Sequence, residues 1–197
     1  MIKRLFDIIF SFFGLIVVYP FFLIIAVLIK LSSPGQVFYM GERAGKGGKN
    51  FKIFKFRSMV VNADKIGGPS TSGDDPRLLK IGKFLRRYQI DELPQLINIL
   101  KGEMSFVGPR PEVPSEVALY DEETRNIILS VKPGLTDLAT LENVHEEEVL
   151  KGAADPHEAY RRLIQPQKLK LAKEYVRTRS FWLDIKIILK TIKSAIF

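Results

Sequence analysis

From Ile8 to Ile29 the chain carries no charged residue, and this run constrains the fold more than any other feature. At about 1.5 Å per residue these 22 positions make a helix about 33 Å long, close to the thickness of a bilayer core. The run is too long for a signal-peptide core and no small-x-small site follows before Lys30, which predicts that it stays in the mature protein. Pro20 sits near its middle and cannot donate to the carbonyl of Ile16, so a break is expected at Tyr19-Pro20. Ser11 and Tyr19 are at hand to satisfy freed backbone groups. Basic residues flank both ends, Lys3 and Arg4 before and Lys30, Arg43, Lys46 and Lys49 after, so charge gives no vote for opposite sides of a membrane. Two arrangements fit these residues: a single span with a proline kink, and a helix that dips into one leaflet and returns.

The remainder is a basic body. Thirty Lys and Arg against 22 Asp and Glu give a net charge of +8. The absence of Cys excludes disulfides, thiolate zinc sites and a cysteine nucleophile, and two His leave little room for a multi-His metal centre. A length of 197 residues suits one domain, so the chain divides into a membrane helix over 1–33 and one folding unit over 34–197. Ser32-Ser33-Pro34-Gly35 ends the first helix. Gln36–Met40 and Phe51–Arg57 are aromatic, β-prone runs joined by Gly45-Lys46-Gly47-Gly48-Lys49, which predicts a β-hairpin. That glycine-rich tip lacks the spacing of a phosphate-binding loop and does not lead from a strand into a helix. Residues 66–76 read as a long polar loop and 77–87 as a basic helix. Further helices are expected over 91–100, 115–130, 146–151 and 159–178. Near the C-terminus, Lys186, Lys190 and Lys193 share one helical face while Leu183, Ile187, Ile188, Leu189, Ile192, Ile196 and Phe197 cover much of the rest. A basic amphipathic helix opening on Trp182 can lie in the headgroup plane, or dock on the core with its lysines solvated. The expected fold class is α+β, mostly helical, with one small hairpin.

Three elements that could carry chemistry lie within 27 positions: Arg86-Arg87, Asp91-Glu92 at a helix start, and Gly108-Pro109-Arg110-Pro111-Glu112. A helix N-terminus attracts anions, and arginine forks match phosphate oxygens. The prolines on both sides of Arg110 restrict its backbone, so less freedom is lost on binding. Carboxylates beside a phosphate point to a divalent cation such as Mg²⁺, or to an aspartate that attacks phosphorus. Asp91 also fits the plainer role of a helix N-cap. His145 and His157 have no metal-spaced partner and read as surface residues.

Lys-Phe-Arg-Ser-Met (55–59), Ile-Asp-Glu-Leu-Pro-Gln-Leu (90–96), the stretch 98–112 with its Pro-Arg-Pro, and Lys132-Pro-Gly-Leu-Thr136 resemble the motifs of the bacterial sugar transferase family. More narrowly the chain resembles its small members, the monotopic phosphoglycosyl transferases. The resemblance implies transfer of a sugar 1-phosphate from a UDP-sugar to undecaprenyl phosphate at the cytoplasmic face of the bacterial inner membrane, with release of UMP, at the first membrane step of glycoconjugate assembly. It implies that Asp91 is the nucleophile of a covalent phosphosugar intermediate and that Glu92 assists it. It further implies that both carboxylates serve a required Mg²⁺ and that Arg86 and Arg110 contact phosphate. The family's membrane helix is re-entrant and broken at a Ser-Pro pair, where this chain has Tyr19-Pro20, so the resemblance favours the re-entrant arrangement. After Thr136 many relatives continue Gly-Trp-Ala-Gln-Val-Asn-Gly, whereas this chain has Asp137-Leu-Ala-Thr-Leu-Glu-Asn143 and then an acidic run, which leaves the donor sugar unassigned.

Two other classes use some of the same features. A membrane-tethered nucleic-acid binder would exploit the positive charge but gives Asp91-Glu92 no purpose. A membrane-anchored scaffold without catalysis would place the two ends of the N-terminal segment on opposite sides.

Overall fold

A computed structural model describes residues 2–66, 71, 74–139 and 149–196 of the chain. About 61% is helical. The longest element is α1, Ile2–Ser32. It is followed by β1 (Phe38–Ala44), β2 (Asn50–Phe56), the short α2 (Ala63–Ile66) and α3 (Lys80–Arg87). A 3-10 helix over Ile90–Gln95 leads into α4 (Leu96–Lys101) and β3 (Ser105–Val107). Then come α5 (Pro114–Val117), α6 (Glu122–Leu129) and β4 (Gly134–Thr136). The chain ends in α7 (Pro156–Ala159), a π-helical turn at Tyr160–Ile164, α8 (Gln165–Thr178) and α9 (Phe181–Ile196).

The expected hairpin is present: β1 and β2 pair antiparallel from Phe38 opposite Phe56 to Ala44 opposite Asn50. Its tip turns through Gly47 and Gly48 at φ 68° and 75°, a left-handed backbone that glycine adopts without steric cost. Phe51, Ile53 and Phe56 are buried beneath the hairpin. Phe51 and Ile53 meet Leu96, Ile99 and Met104, while Phe56 joins Leu85 and the C-terminal half of α1. A second pair, β3 with β4, is parallel and only three residues long on each side. Several expected helices differ in extent. The region 115–130 divides into α5 and α6, because Asp121 takes an extended conformation and caps a new helix by accepting from the N–H of Thr124 at 2.7 Å. Residues 67–70 and the first half of the expected helix at 146–151 lie outside the described residues, as do His145 and Phe197.

Asn98 ties this core together. Fully buried, it accepts from the Phe54 N–H at 2.9 Å and donates to the Lys52 carbonyl at 2.8 Å and to Glu103 Oε2 at 2.7 Å, fixing β2 against α4. Asn98→Ala would strand these groups, each worth about 1–3 kcal/mol when left unpaired and buried. A loss of about 2–4 kcal/mol is expected by chemical denaturation, with only a small change for the solvated Asn50→Ala.

Helix α1 continues through Tyr19 and Pro20 as one helix, so the expected interruption does not end it. Its two ends rest on the same body. Lys3 donates to the Val107 carbonyl and to Asp184 of α9, and Arg4 to the carbonyls of Ile99 and Leu100. At the other end, Arg57 donates to the carbonyls of Ser33 and Pro34 at 2.8 and 2.6 Å. Between them, Leu15, Val18, Phe22, Ile25 and Ile29 pack on the hairpin, α3 and α4. The opposite face leaves large apolar side chains uncovered, Phe13, Val17, Tyr19 and Phe21 each being 60% exposed or more. An apolar surface of this extent marks a site that meets lipid or protein.

The C-terminal half is clamped by a buried carboxylate. Glu116 on α5 accepts two bonds from Arg161, at 3.0 Å from Nε and 2.5 Å from a terminal nitrogen, and lies 3.1 Å from His157 Nε2. His157 is therefore a half-buried structural partner and not the surface residue expected from its spacing. The Arg161 bonds hold the Glu116 carboxyl below the usual range against the opposing effect of burial. A depressed folded-state pKa contributes stability that is complete above the unfolded glutamate value of about 4.3 and is lost as pH falls through the folded value. Thermal midpoints measured from pH 6 to pH 3 should therefore fall more steeply for the native protein than for Glu116→Gln. At pH 7 the variant should be less stable than the native protein, because the carboxylate that Arg161 and His157 share is gone.

Candidate active site

Asp91 and Glu92 fall in the 3-10 helix between α3 and α4. The turn begins where Gln89 adopts a left-handed backbone at φ 54°, and Pro94 sits inside it. Asp91 is therefore not the N-cap that its place before a helix suggested; Gln89 holds that position without a side-chain cap. Relieved of a capping role, the Asp91 side chain is buried and makes no hydrogen bond or ion pair with a described residue. Burial pushes its carboxyl above the usual range. The Lys55 charge opposes that shift, Glu92 adds to it, and Arg86 and Arg110 oppose it in turn.

Glu92 has the contrary setting. Its Oε1 accepts from Lys55 Nζ at 2.7 Å and from an Arg110 terminal nitrogen at 2.8 Å. Burial alone would raise this carboxyl, but Arg110 and Lys55 outweigh it and hold Glu92 well below the usual carboxylate range. Two neighbouring carboxylates thus divide into one neutralised by a pair of cations and one that is buried with no hydrogen bond or ion pair to a described residue.

Each cation arrives by a different route. Lys55 comes from β2, as the penultimate residue of the strand that Asn98 pins. Arg110 comes from the Pro-Arg-Pro loop, whose ends are held by short bonds. The Gly108 N–H donates to the Thr136 carbonyl at 3.1 Å and the Gly134 N–H to the Pro109 carbonyl at 2.9 Å. Beyond the loop, the Ala44 N–H donates to the Glu112 carbonyl at 3.0 Å, and the Tyr160 hydroxyl to Glu112 Oε1 at 2.7 Å. Gly108 is required where it is, since a Cβ there would collide with the Lys132 carbonyl. Arg86, at the end of α3, acts on Asp91 through its charge, whereas Arg87 is exposed and leans over the Tyr88 ring at 5.8 Å. Of the residues expected at the site, Asp91, Glu92, Arg86 and Arg110 come together, and Tyr19 and Pro20 lie apart on α1.

Lys55 is the member that sequence reasoning did not assign. A lysine in an alternating strand reads as a solvated face, and only its place in Lys-Phe-Arg-Ser-Met pointed elsewhere. As donors, the dyad offers hard carboxylate oxygens of the kind that divalent cations with phosphate ligands take, and the unpartnered Asp91 leaves that capacity unspent. Among the described residues no cluster of three or more His, Asp or Glu gathers as an all-protein metal cage.

Comparison with known proteins gives this geometry a setting. A Bacillus subtilis protein named for undecaprenyl-phosphate N-acetylgalactosaminyl 1-phosphate transfer is 47% identical over 135 residues, 68% of this chain and 71% of the relative. The Aeromonas hydrophila UDP-N-acetylgalactosamine-undecaprenyl-phosphate N-acetylgalactosaminephosphotransferase is 38% identical over 98% of this chain and 43% of its own length. The exopolysaccharide production protein PSS of Rhizobium leguminosarum is 40% identical over 98% of this chain and 94% of its own. The chain thus spans less than half of the Aeromonas protein and nearly all of the Rhizobium one. The bacterial sugar transferase model matches residues 1–197, and the chain belongs to the bacterial sugar transferase family.

Proposed function

We propose that the chain transfers a sugar 1-phosphate from a UDP-sugar to undecaprenyl phosphate, giving undecaprenyl-diphosphate-sugar and UMP. The observation that carries this reading is the split dyad: Glu92 neutralised by Lys55 and Arg110, and Asp91 buried beside it with no hydrogen bond or ion pair among the described residues. A scaffold has no use for an unpaired buried carboxylate, and a nucleic-acid site would be repelled by one.

In the first half-reaction an Asp91 carboxylate oxygen attacks the β-phosphorus of the donor. The bond from that phosphorus to the bridging oxygen breaks, and UMP leaves with the bridging oxygen. In the second, a phosphate oxygen of undecaprenyl phosphate attacks the same phosphorus, and the acyl-phosphate bond breaks to restore the Asp91 carboxylate. Burial makes the Asp91 carboxylate a stronger base than an exposed aspartate, which favours attack. Arg110 and Arg86 supply charge for the donor's phosphates, and the braced Pro-Arg-Pro loop keeps Arg110 in position. Asp91 and Glu92 are the residues that would hold Mg²⁺, which when bound neutralises diphosphate charge.

The docking of both ends of α1 on one body supports a re-entrant, monotopic placement, because one body cannot sit on two sides of a bilayer. We place that body on the cytoplasmic face of the inner membrane, where basic residues meet anionic headgroups and a soluble donor. Pro20, which has no N–H to donate, is where we expect α1 to bend inside the leaflet.

The test is UMP release by the purified protein with undecaprenyl phosphate, Mg²⁺ and a panel of UDP-sugars. Release with at least one donor, dependent on undecaprenyl phosphate for turnover, is expected. Release at the same rate without protein, or none with any donor in a protein shown to be folded, would refute the assignment.

A further inference from the structure

A cavity of about 510 Å³ opens between the start of α1, the β1–β2 tip and the α8–α9 junction. Five cations line it, Lys3, Arg4, Lys46, Lys132 and Arg179, together with two carboxylates, Asp7 and Asp184. Both carboxylates are already engaged. Asp184 accepts from Lys3 at 2.6 Å and from the Tyr175 hydroxyl at 2.7 Å, and Asp7 Oδ1 accepts from the Ser105 hydroxyl and the Phe106 N–H, each at 3.2 Å. Among the described residues, Arg4, Lys46, Lys132 and Arg179 form no ion pair. Arg4 and Lys132 converge on one spot: a Cβ added at Gly102 would lie 3.1 Å from an Arg4 terminal nitrogen and 3.4 Å from Lys132 Nζ. Burial and the charges of Arg4 and Lys46 push the Lys132 ammonium below its usual range, and the charge of Asp7 offsets only part of that.

The rim gives the anion its source. Phe181 lines the cavity and packs edge-on against Phe6 of α1, 5.6 Å between centroids. Next to it Trp182 is 79% exposed, and Ile2 and Leu5 continue the uncovered face of α1. Aromatic and aliphatic side chains around a cationic hollow match a headgroup whose acyl chains run along apolar protein. We propose that this cavity binds the phosphodiester headgroup of an anionic phospholipid, held by Arg4, Lys46, Lys132 and Arg179. None of these residues belongs to the dyad site. The proposal rests on the membrane-surface placement of α1 and not on the transfer chemistry, and its test involves no turnover. A lipid seated here would fix the start of α1 and α9 at one depth in the leaflet, because Lys3 and Asp184 join those two elements at the wall of the cavity.

Trp182 is the only tryptophan of the chain, so its fluorescence reports on the rim. The full-length protein in neutral detergent is titrated with dihexanoyl phosphatidylglycerol, dihexanoyl phosphatidylcholine and inorganic phosphate. Saturable binding of the phosphatidylglycerol is expected, at least tenfold tighter than that of the other two. It should weaken about tenfold in Lys46→Gln/Lys132→Gln, and persist in Lys132→Arg and in Arg110→Gln. Lys46 is exposed, so Lys46→Gln alone keeps the fold and should weaken binding about threefold. Equal responses to the two lipids would overturn the proposal, as would inorganic phosphate matching phosphatidylglycerol. So would loss of binding in Arg110→Gln with retention in the lysine variants, which would place the anion at the dyad.

Discussion

Asp91→Asn is expected to lower turnover by about a thousandfold or more while leaving the fold intact, since loss of a covalent nucleophile removes the pathway and not one contribution to it. The structural part of this expectation follows from the side chain's isolation. Asp91 makes no hydrogen bond or ion pair with a described residue, so the isosteric amide breaks no internal contact. It also removes a buried negative charge beside Glu92, a like charge that raises the Asp91 carboxyl. The variant should therefore match or exceed the native thermal midpoint, a combination of lost activity and undiminished stability that marks a group retained for chemistry. Steady-state UMP release and a thermal melt on the same preparation check both halves. Activity within tenfold of the native protein would remove Asp91 from the role assigned to it.

Lys55→Met carries the second large effect, in kcat/KM. Lys55 and Arg110 meet on one oxygen of Glu92, but they are not equivalent: the Lys55 side chain is 19% exposed and that of Arg110 is 42%. The more buried cation acts through less solvent and is the harder to replace. Its loss leaves Glu92 dependent on an exposed arginine that the substrate phosphates also need, and removes the largest electrostatic opposition to the rise of Asp91. A fall of about a hundredfold in kcat/KM is expected, equivalent to about 2.7 kcal/mol, as for removal of one preorganised charged donor. Lys55→Arg should recover part of it, because charge is kept while the single-point geometry is changed. A loss in Lys55→Met smaller than threefold would mean that Lys55 serves only the strand.

The parts of the fold that were legible in the sequence are those whose pattern repeats over several residues. The uncharged run gave α1, the aromatic alternation around a glycine tip gave the hairpin, and the lysine spacing gave α9. The β3–β4 pair escaped because three residues on each side contain no period, and the pairing depends on Gly108 and Gly134 allowing two backbones to approach. A carboxylate before an apolar run usually serves as a cap, so the position of Asp91 alone leaves a capping role open beside the catalytic one. The left-handed Gln89 starts the turn two residues earlier and frees the side chain, a choice of backbone that no local rule announces. Arg86, Glu92 and Arg110 could be gathered from their closeness in sequence. Lys55, 37 positions before Glu92, required the hairpin to fold back over α4.

The covalent intermediate is the centre of the account, and it is tested most directly without acceptor. The protein is mixed with a donor found by the UMP assay and Mg²⁺, but no undecaprenyl phosphate, and UMP and intact mass are followed together. The account predicts a burst approaching one UMP per protein, a mass increase equal to the sugar phosphate on the peptide containing Asp91, and loss of that mass when undecaprenyl phosphate is added. Turnover on addition of acceptor with neither burst nor mass increase beforehand would contradict it, and would mean direct transfer between the two substrates.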